Sequence, residues 1–222
     1  MKPVTIAEVE SELQNIPVET ALLGMGCFWG PEARFGSMPG VLRTRVGFAG
    51  GSTEHPTYRQ LGDQTEVVEV DFDPTVISYE TLLKVFWENH YPNHDAYRGR
   101  QYLSILRYRT EQQRQDIERV KKQMEAKLGE SIETEIAPYK SFTRAEERHQ
   151  KYYLKRYPRA IQQIEVFYPT TEMLIGSTFA ARLNGFVKGF GTRTELSTEI
   201  EGWPISVGNQ QVLLNKLHSI KW

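Results

Sequence analysis

Ala21-Leu22-Leu23-Gly24-Met25-Gly26-Cys27-Phe28-Trp29-Gly30-Pro31 joins a short apolar run to a proline. Ala21 to Met25 are small or apolar, which fits a buried strand that stops at Gly26. Pro31 suits the first turn of a helix, where its missing N–H has no partner to lose, so a helix is expected through Phe35. Cys27 thus falls where a strand hands over to a helix N-terminus.

Working outward, Val41–Phe48 reads as a second strand, broken by Gly50-Gly51-Ser52-Thr53 into a loop that carries His55-Pro56-Thr57-Tyr58. Val67, Val68, Val70 and Phe72 among Glu66, Glu69 and Asp71 predict a third strand, stopped by Asp73-Pro74. Ser78 is expected to cap a helix through Leu82, Leu83, Val85, Phe86 and His90. Beyond a polar loop from Pro92 to Arg100, a strand is expected over Gln101–Tyr108, an amphipathic helix from Thr110 to Leu128, a strand over Thr134–Ala137 and a helix over Arg144–Arg156. This alternation predicts an α/β or α+β sandwich.

Three stretches follow. Residues 1–20 read as a lead-in with a short helix from Ile6 to Leu13, and residues 21–156 as the main domain. Residues 157–222 read as a helical extension packed on the same domain. Within it Ser177–Val187 and Ser206–His218 are the expected helices, and Gly185, Gly189, Gly191 and Gly202 mark loops.

Composition narrows the functions. Lys and Arg number 27 against 28 Asp and Glu, so no overall field draws the chain to nucleic acid or an anionic membrane. Met1-Lys2-Pro3 followed by Glu8, Glu10 and Glu12 does not look like a secretory signal, and no run approaches the ~18 apolar residues of a membrane helix. A cytoplasmic monomer is the expectation. Cys27 is the single cysteine of the 222 residues, which excludes an internal disulfide and a cysteine-based zinc site.

A lone cysteine is ordinarily a small buried hydrophobe. At a helix start, backbone N–H groups favour the thiolate and predict a pKa below the usual value of about 8.5. Phe28 and Trp29 beside it, otherwise plain core residues, can form an apolar cradle for a methyl thioether-like group.

Gly26-Cys27-Phe28-Trp29-Gly30 resembles the hallmark of the A-type peptide methionine sulfoxide reductases. The likeness runs over about residues 20–156 and includes Pro39-Gly40-Val41, Gly47 with Gly50-Gly51, Pro56-Thr57-Tyr58, Asp73-Pro74, Phe86-Trp87-Glu88-Asn89-His90, Gln101-Tyr102, Thr134-Glu135-Ile136 and Glu147 with His149-Gln150. It implies a two-layer α/β fold around a mixed, ferredoxin-like sheet and reduction of the S epimer of methionine sulfoxide, free or in peptides. It further implies Cys27 as nucleophile, Phe28 and Trp29 as the methyl pocket, Tyr58 and Tyr102 as hydrogen-bond partners of the sulfoxide oxygen, and Glu66 as the acid that protonates it. No bound cofactor or metal is implied.

Chemistry asks for such a set. A sulfoxide oxygen leaves poorly until protonated, so an acid must face the attacking sulfur. If the Glu66 carboxyl points into an apolar pocket, desolvation keeps it protonated near neutral pH. Two phenols would steady the oxygen as charge develops.

Several positions depart from the family pattern. The resolving cysteines that many relatives carry near the C-terminus have no counterpart, so an external thiol such as glutathione or thioredoxin is expected to attack the Cys27 sulfenic acid. Gln64 stands where relatives often have His. The frequent Asp-His-Gly-Thr-Gln-Tyr stretch appears as Tyr97-Arg98-Gly99-Arg100-Gln101-Tyr102, with Asp95 as a substitute for the missing acid. Arg98 and Arg100 could turn the site toward acidic ligands.

Three other readings compete. His90 and His94 with Glu88 and Asp95 raise a metal-dependent hydrolase, although Pro92 prevents the two histidines from sharing a regular helix face. Cys27 with His149 raises a papain-like hydrolase. The departures at Gln64 and Tyr97 raise a degenerate relative that binds methionine or its sulfoxide without turnover.

Overall fold

In chain order the elements are α1 (Ile6–Val9), β1 (Glu19–Met25), α2 (Trp29–Gly36), β2 (Val41–Ala49), β3 (Thr65–Phe72), α3 (Tyr79–Glu88), β4 (Tyr97–Arg100), β5 (Ser104–Tyr108), α4 (Glu111–Leu128), β6 (Glu135–Pro138) and β7 (Thr143–Arg144). The remaining helices are α5 (Tyr152–Lys155), α6 (Pro158–Glu165), α7 (Thr171–Ile175), α8 (Thr178–Val187), α9 (Arg193–Glu201) and α10 (Val207–Ser219). The computed structural model describes residues 5–93 and 97–222, and for residues 97 and 98 the backbone only.

Among the described residues, six strands form one sheet in the order β6-β5-β1-β3-β2-β7. Only the β5–β6 pair is parallel among these neighbours. In its centre β1 and β2 run the same way with β3 antiparallel between them, the split βαβ arrangement of a ferredoxin-like core. The two-layer α/β fold with a mixed sheet is the one the chain adopts.

One sheet face turns Ala21, Leu23, Val68, Val70 and Phe72 toward Leu82, Leu83 and Phe86 of α3 and Ile117 and Val120 of α4. The other turns Leu22, Val67 and Ile105 toward Leu103, Tyr139 and Phe142. All eight residues of β3 are therefore buried, acidic ones included. Glu69 and Asp71 survive burial by pairing with Arg45, at 2.8 and 2.9 Å, and with Arg109 and Arg43.

Helix starts follow the local chemistry. The Thr81 N–H donates to Ser78 Oγ at 3.2 Å and the Gln113 N–H to Thr110 Oγ1 at 3.1 Å. Three expectations fail. The end of the stretch expected as a loop is occupied by β4. Gln101–Tyr108 is not one strand: β5 begins at Ser104, because Gln101 turns its carbonyl to the Glu66 N–H at 2.9 Å. Arg144–Arg156 is not one helix either. It holds β7, a 3-10 turn over Glu147–His149 and the short α5, with Lys151 in the left-handed region at φ 52°.

Burial explains this second break. Gln150 grips the β2 backbone, Nε2 donating to the Val46 carbonyl at 2.8 Å and Oε1 accepting the Val46 N–H at 3.0 Å. The Lys151 ammonium reaches Glu32 Oε1 at 2.8 Å and the Thr44 carbonyl at 2.7 Å. A regular helix would withdraw both side chains and leave buried polar groups unpaired.

The C-terminal helices are more continuous than glycine counting predicts: α9 occupies a stretch marked as loop, Gly185 lies inside α8, and α6 and α7 add two helices to the two expected there. There it serves close packing. A Cβ on Gly185 would stand 2.5 Å from Ser37 Cβ, and one on Gly36 2.9 Å from the Ala181 carbonyl oxygen, so α8 lies directly on α2. Ile6, Val9 and Leu13 share a core with Phe179, Leu183, Ile200, Leu213 and Leu217, which ties the chain's first segment to its last helices. Among the described residues no helix is long and apolar enough to cross a membrane.

Candidate active site

Gly26, at φ 86°, turns the chain from β1 into α2 and leaves Cys27 exposed just ahead of the helix. Helical hydrogen bonding begins at Trp29 with Phe28 as its cap. The Cys27 thiol is pushed above its ordinary value by burial of its surroundings, opposed by the Trp29 N–H and reinforced by the nearby Glu66 carboxyl. The expected depressed pKa is thus corrected. One backbone amide at the helix start, that of Trp29, loses to desolvation and a neighbouring acid.

Glu66 opens the site from the other side. It sits near the start of β3 and is wholly buried. The Phe28 N–H donates to its Oε2 at 3.0 Å and Gln101 Nε2 to its Oε1 at 2.8 Å. Burial pushes its carboxyl up, and these two donors only partly offset that. Such a group holds its proton to higher pH than an exposed carboxylate.

Tyr58 and Tyr102, both half-buried, share a side-chain hydrogen bond. Burial, then Glu66 and Tyr102, push the Tyr58 phenol up to about 12, with Cys27 contributing. Cys27, Glu66, Tyr58 and Tyr102 therefore occupy one neighbourhood, drawn from four separate stretches of chain. Phe28 is buried against Phe48, Tyr58 and His149, at centroid distances of 5.9, 6.3 and 5.5 Å. The Trp29 indole lies flat on Tyr152, 3.7 Å away with an interplanar angle of 3°. An apolar wall beside the thiol is in place.

Other positions singled out in the sequence do different work. Gln64 is a loop clip: its Nε2 donates to the Thr53 carbonyl at 2.9 Å and its Oε1 accepts the Gly51 N–H at 3.0 Å. Arg100 donates to the Asp63 carbonyl at 2.9 Å and pairs with Glu135 at 2.8 Å, so its charge is already engaged. His90 contacts the Phe86 carbonyl and Ser104 Oγ, each at 2.7 Å. His94 and Asp95 lie outside the described residues, as do the side chains of Tyr97 and Arg98. Among the described residues no group of three or more His, Cys, Asp or Glu is arranged to hold a metal ion.

His149 is no hydrolase base for Cys27. It is buried, with Nδ1 accepting the Trp29 indole N–H at 3.3 Å and Arg148 Nε 3.2 Å from its Nε2, so both nitrogens are engaged away from the thiol. Gln101, Tyr152 and Tyr153 join the site with no role expected from the sequence, and His149 joins it in a role other than a hydrolase base. Tyr153 is raised by burial and by Cys27 itself. Gln101 and His149 lie in the matched Gln101-Tyr102 and His149-Gln150 stretches, whereas Tyr152 and Tyr153 carry no such signal in the sequence.

The family model described as peptide methionine sulfoxide reductase matches residues 19–180. The peptide methionine sulfoxide reductase of Drosophila melanogaster is 43% identical over 188 residues, covering 84% of this chain and 75% of that protein. The peptide methionine sulfoxide reductase A5 of Oryza sativa subsp. japonica is 39% identical over 203 residues, covering 86% and 79%. Methionine sulfoxide reductase A of Corynebacterium diphtheriae superposes with a TM-score of 0.55 at 35% identity, covering 64% of this chain and 76% of its own. Reduced Mxr1 from Saccharomyces cerevisiae gives a TM-score of 0.58 at 28% identity, covering 64% and 87%. With the pattern running from β1 into α8 and the thiol, acid and phenols gathered at one end of the sheet, this chain belongs to the peptide methionine sulfoxide reductase family, A type.

Proposed function

We propose that the chain reduces the S epimer of methionine sulfoxide, free or within peptides, as a peptide-methionine (S)-S-oxide reductase. The Cys27 sulfur attacks the sulfoxide sulfur while Glu66 delivers a proton to the oxygen. Tyr58 and Tyr102 hydrogen-bond that oxygen, and Phe28 with Trp29 receives the methyl group. The sulfoxide sulfur gains two electrons and departs as the thioether. Cys27 loses them and keeps the oxygen as a sulfenic acid.

Within these 222 residues no second thiol can close a disulfide. One external thiol therefore displaces water from the sulfenic acid, and a second releases Cys27 and leaves as the disulfide. Thioredoxin and glutathione both have the required chemistry. No bound cofactor or metal enters these steps. Balanced charge and a single cysteine support a monomer in a reducing compartment such as the cytoplasm, away from nucleic acid and membrane.

The observation that carries this reading is the wholly buried Glu66 carboxyl, raised in pKa and tied to the residue after the nucleophile. Reduced protein mixed with the S sulfoxide in the absence of thiol should release one methionine per chain and add one oxygen to Cys27 by mass spectrometry. Cys27→Ser should do neither. Methionine release without the added oxygen, or none from the wild type, defeats the reading.

A further inference from the structure

His149 is 4% exposed and ends the 3-10 turn that replaces the expected helix. Its ring stacks on Tyr58 at 4.4 Å and on Trp29 at 5.9 Å, with Phe28 at 5.5 Å. Trp29 is thus held twice, its face by Tyr152 and its edge by the hydrogen bond to His149 Nδ1. A buried imidazole between two parts of a reaction site is costly unless its nitrogens are used.

We propose that neutral His149 is a positioning residue for the reaction: its Nδ1 accepts the Trp29 indole N–H while its ring backs Tyr58, so one imidazole sets both the methyl-binding wall and the oxygen-binding phenol. This rests on the reading of Trp29 and Tyr58 given under Proposed function. The indole N–H and the Arg148 Nε–H both point at this ring, toward Nδ1 and Nε2, and a neutral imidazole offers one acceptor nitrogen. Here that nitrogen is Nδ1, serving the indole, which leaves the hydrogen on Nε2 and the 3.2 Å approach of Arg148 as a contact without a hydrogen bond. Glu146 Oε2, 3.8 Å from Nε2, is a buried oxygen without a hydrogen-bond partner among the described residues and faces that N–H.

The surroundings favour this neutral form. Burial and the charges of Arg148 and Lys155 disfavour the imidazolium, Glu146 favours it, and Tyr58 on the stacked face is uncharged. The net direction is a pKa below the ordinary histidine value. Protonation would set an imidazolium N–H against the Trp29 N–H and break the contact. The wall should therefore loosen as pH falls below the usual histidine range.

The test separates positioning from mere packing. His149→Phe keeps a ring against Tyr58 but removes the acceptor, and His149→Asn keeps an acceptor near the Nδ1 position. The readouts are the Trp29 indole 15N–1H resonance, assigned with Trp29→Phe, dithiothreitol-driven KM and kcat, and the rate of Cys27 carbamidomethylation. In His149→Phe the indole resonance should shift and KM for methionine sulfoxide should rise roughly tenfold, the scale of one hydrogen bond. Cys27 alkylation should stay within about twofold, since the acceptor does not touch the thiol. His149→Asn should return the resonance toward its original position.

In the wild type the same resonance should move between about pH 8 and pH 4.5, and it should not do so in either variant. An indole resonance that ignores both pH in the wild type and the loss of the acceptor overturns the proposal. So does an unchanged KM in folded His149→Phe. The wild-type titration needs neither turnover nor a folded variant, so it is decided even if the sulfoxide reading fails.

Discussion

The backbone N–H of Phe28 donates to Glu66 Oε2 at 3.0 Å, which ties the start of the nucleophile's helix to the acid on β3. The acid and the thiol are thereby held at one junction, where burial raises the pKa of both and the Glu66 carboxyl adds to the rise at Cys27. Removing either partner should be visible at the other.

Glu66→Gln removes the proton donor while preserving shape. kcat/KM with dithiothreitol should fall by about 10²–10⁴-fold. In the wild type the activity that needs a protonated Glu66 should decline as pH rises through its elevated pKa, and the variant should lose that limb. The Cys27 pKa, read from the pH dependence of iodoacetamide alkylation, should move down because the carboxyl that raised it is gone.

Tyr58→Phe and Tyr102→Phe should each lower kcat/KM by roughly tenfold, the scale of one hydrogen bond to the oxygen. The phenols bond each other. The double variant should therefore lose less than the product of the single effects, and strict multiplication in a double-mutant cycle would contradict their coupling.

Lys151 and Glu32 form a wholly buried ion pair at 2.8 Å. Lys151→Met should destabilise the fold by about 3–5 kcal/mol in urea, because it strands the Glu32 carboxyl. Adding Glu32→Gln should recover part of the loss. A Lys151→Met variant as stable as the wild type would show that Glu32 finds another partner.

Glu10 accepts the Phe179 N–H at 2.6 Å at the start of α8, and burial raises its carboxyl from 4.5 to about 7. Between those values the folded chain holds a proton that the unfolded chain has released. Stability from this group is therefore present below about pH 4.5 and is lost as pH rises through about 7. Glu10→Gln should flatten that part of the melting-temperature profile, and an unchanged slope would assign it elsewhere.

Local chemistry alone was enough to read much of this chain. The strand-to-helix turn at Gly26, the caps at Ser78, Thr110, Ser177 and Ser206, and the stop of α4 at Gly129 all depend on neighbours within a few residues. The dense likeness around Cys27 pointed to the reaction. What one dimension could not carry was the environment of each group. Whether Cys27 is raised or lowered depends first on burial in the assembled fold and then on Glu66, which is 39 residues away. His149, a candidate base for Cys27 by residue type, is turned to Trp29 and Tyr58 by the packing of their rings. Residues 144–156 scored as a helix until Gln150 and Lys151 found partners on β2 and α2. Burial and long-range pairing exist only once the sheet has assembled, and at these positions they outweigh local preference because an unpaired polar group in the interior costs more than a broken helix.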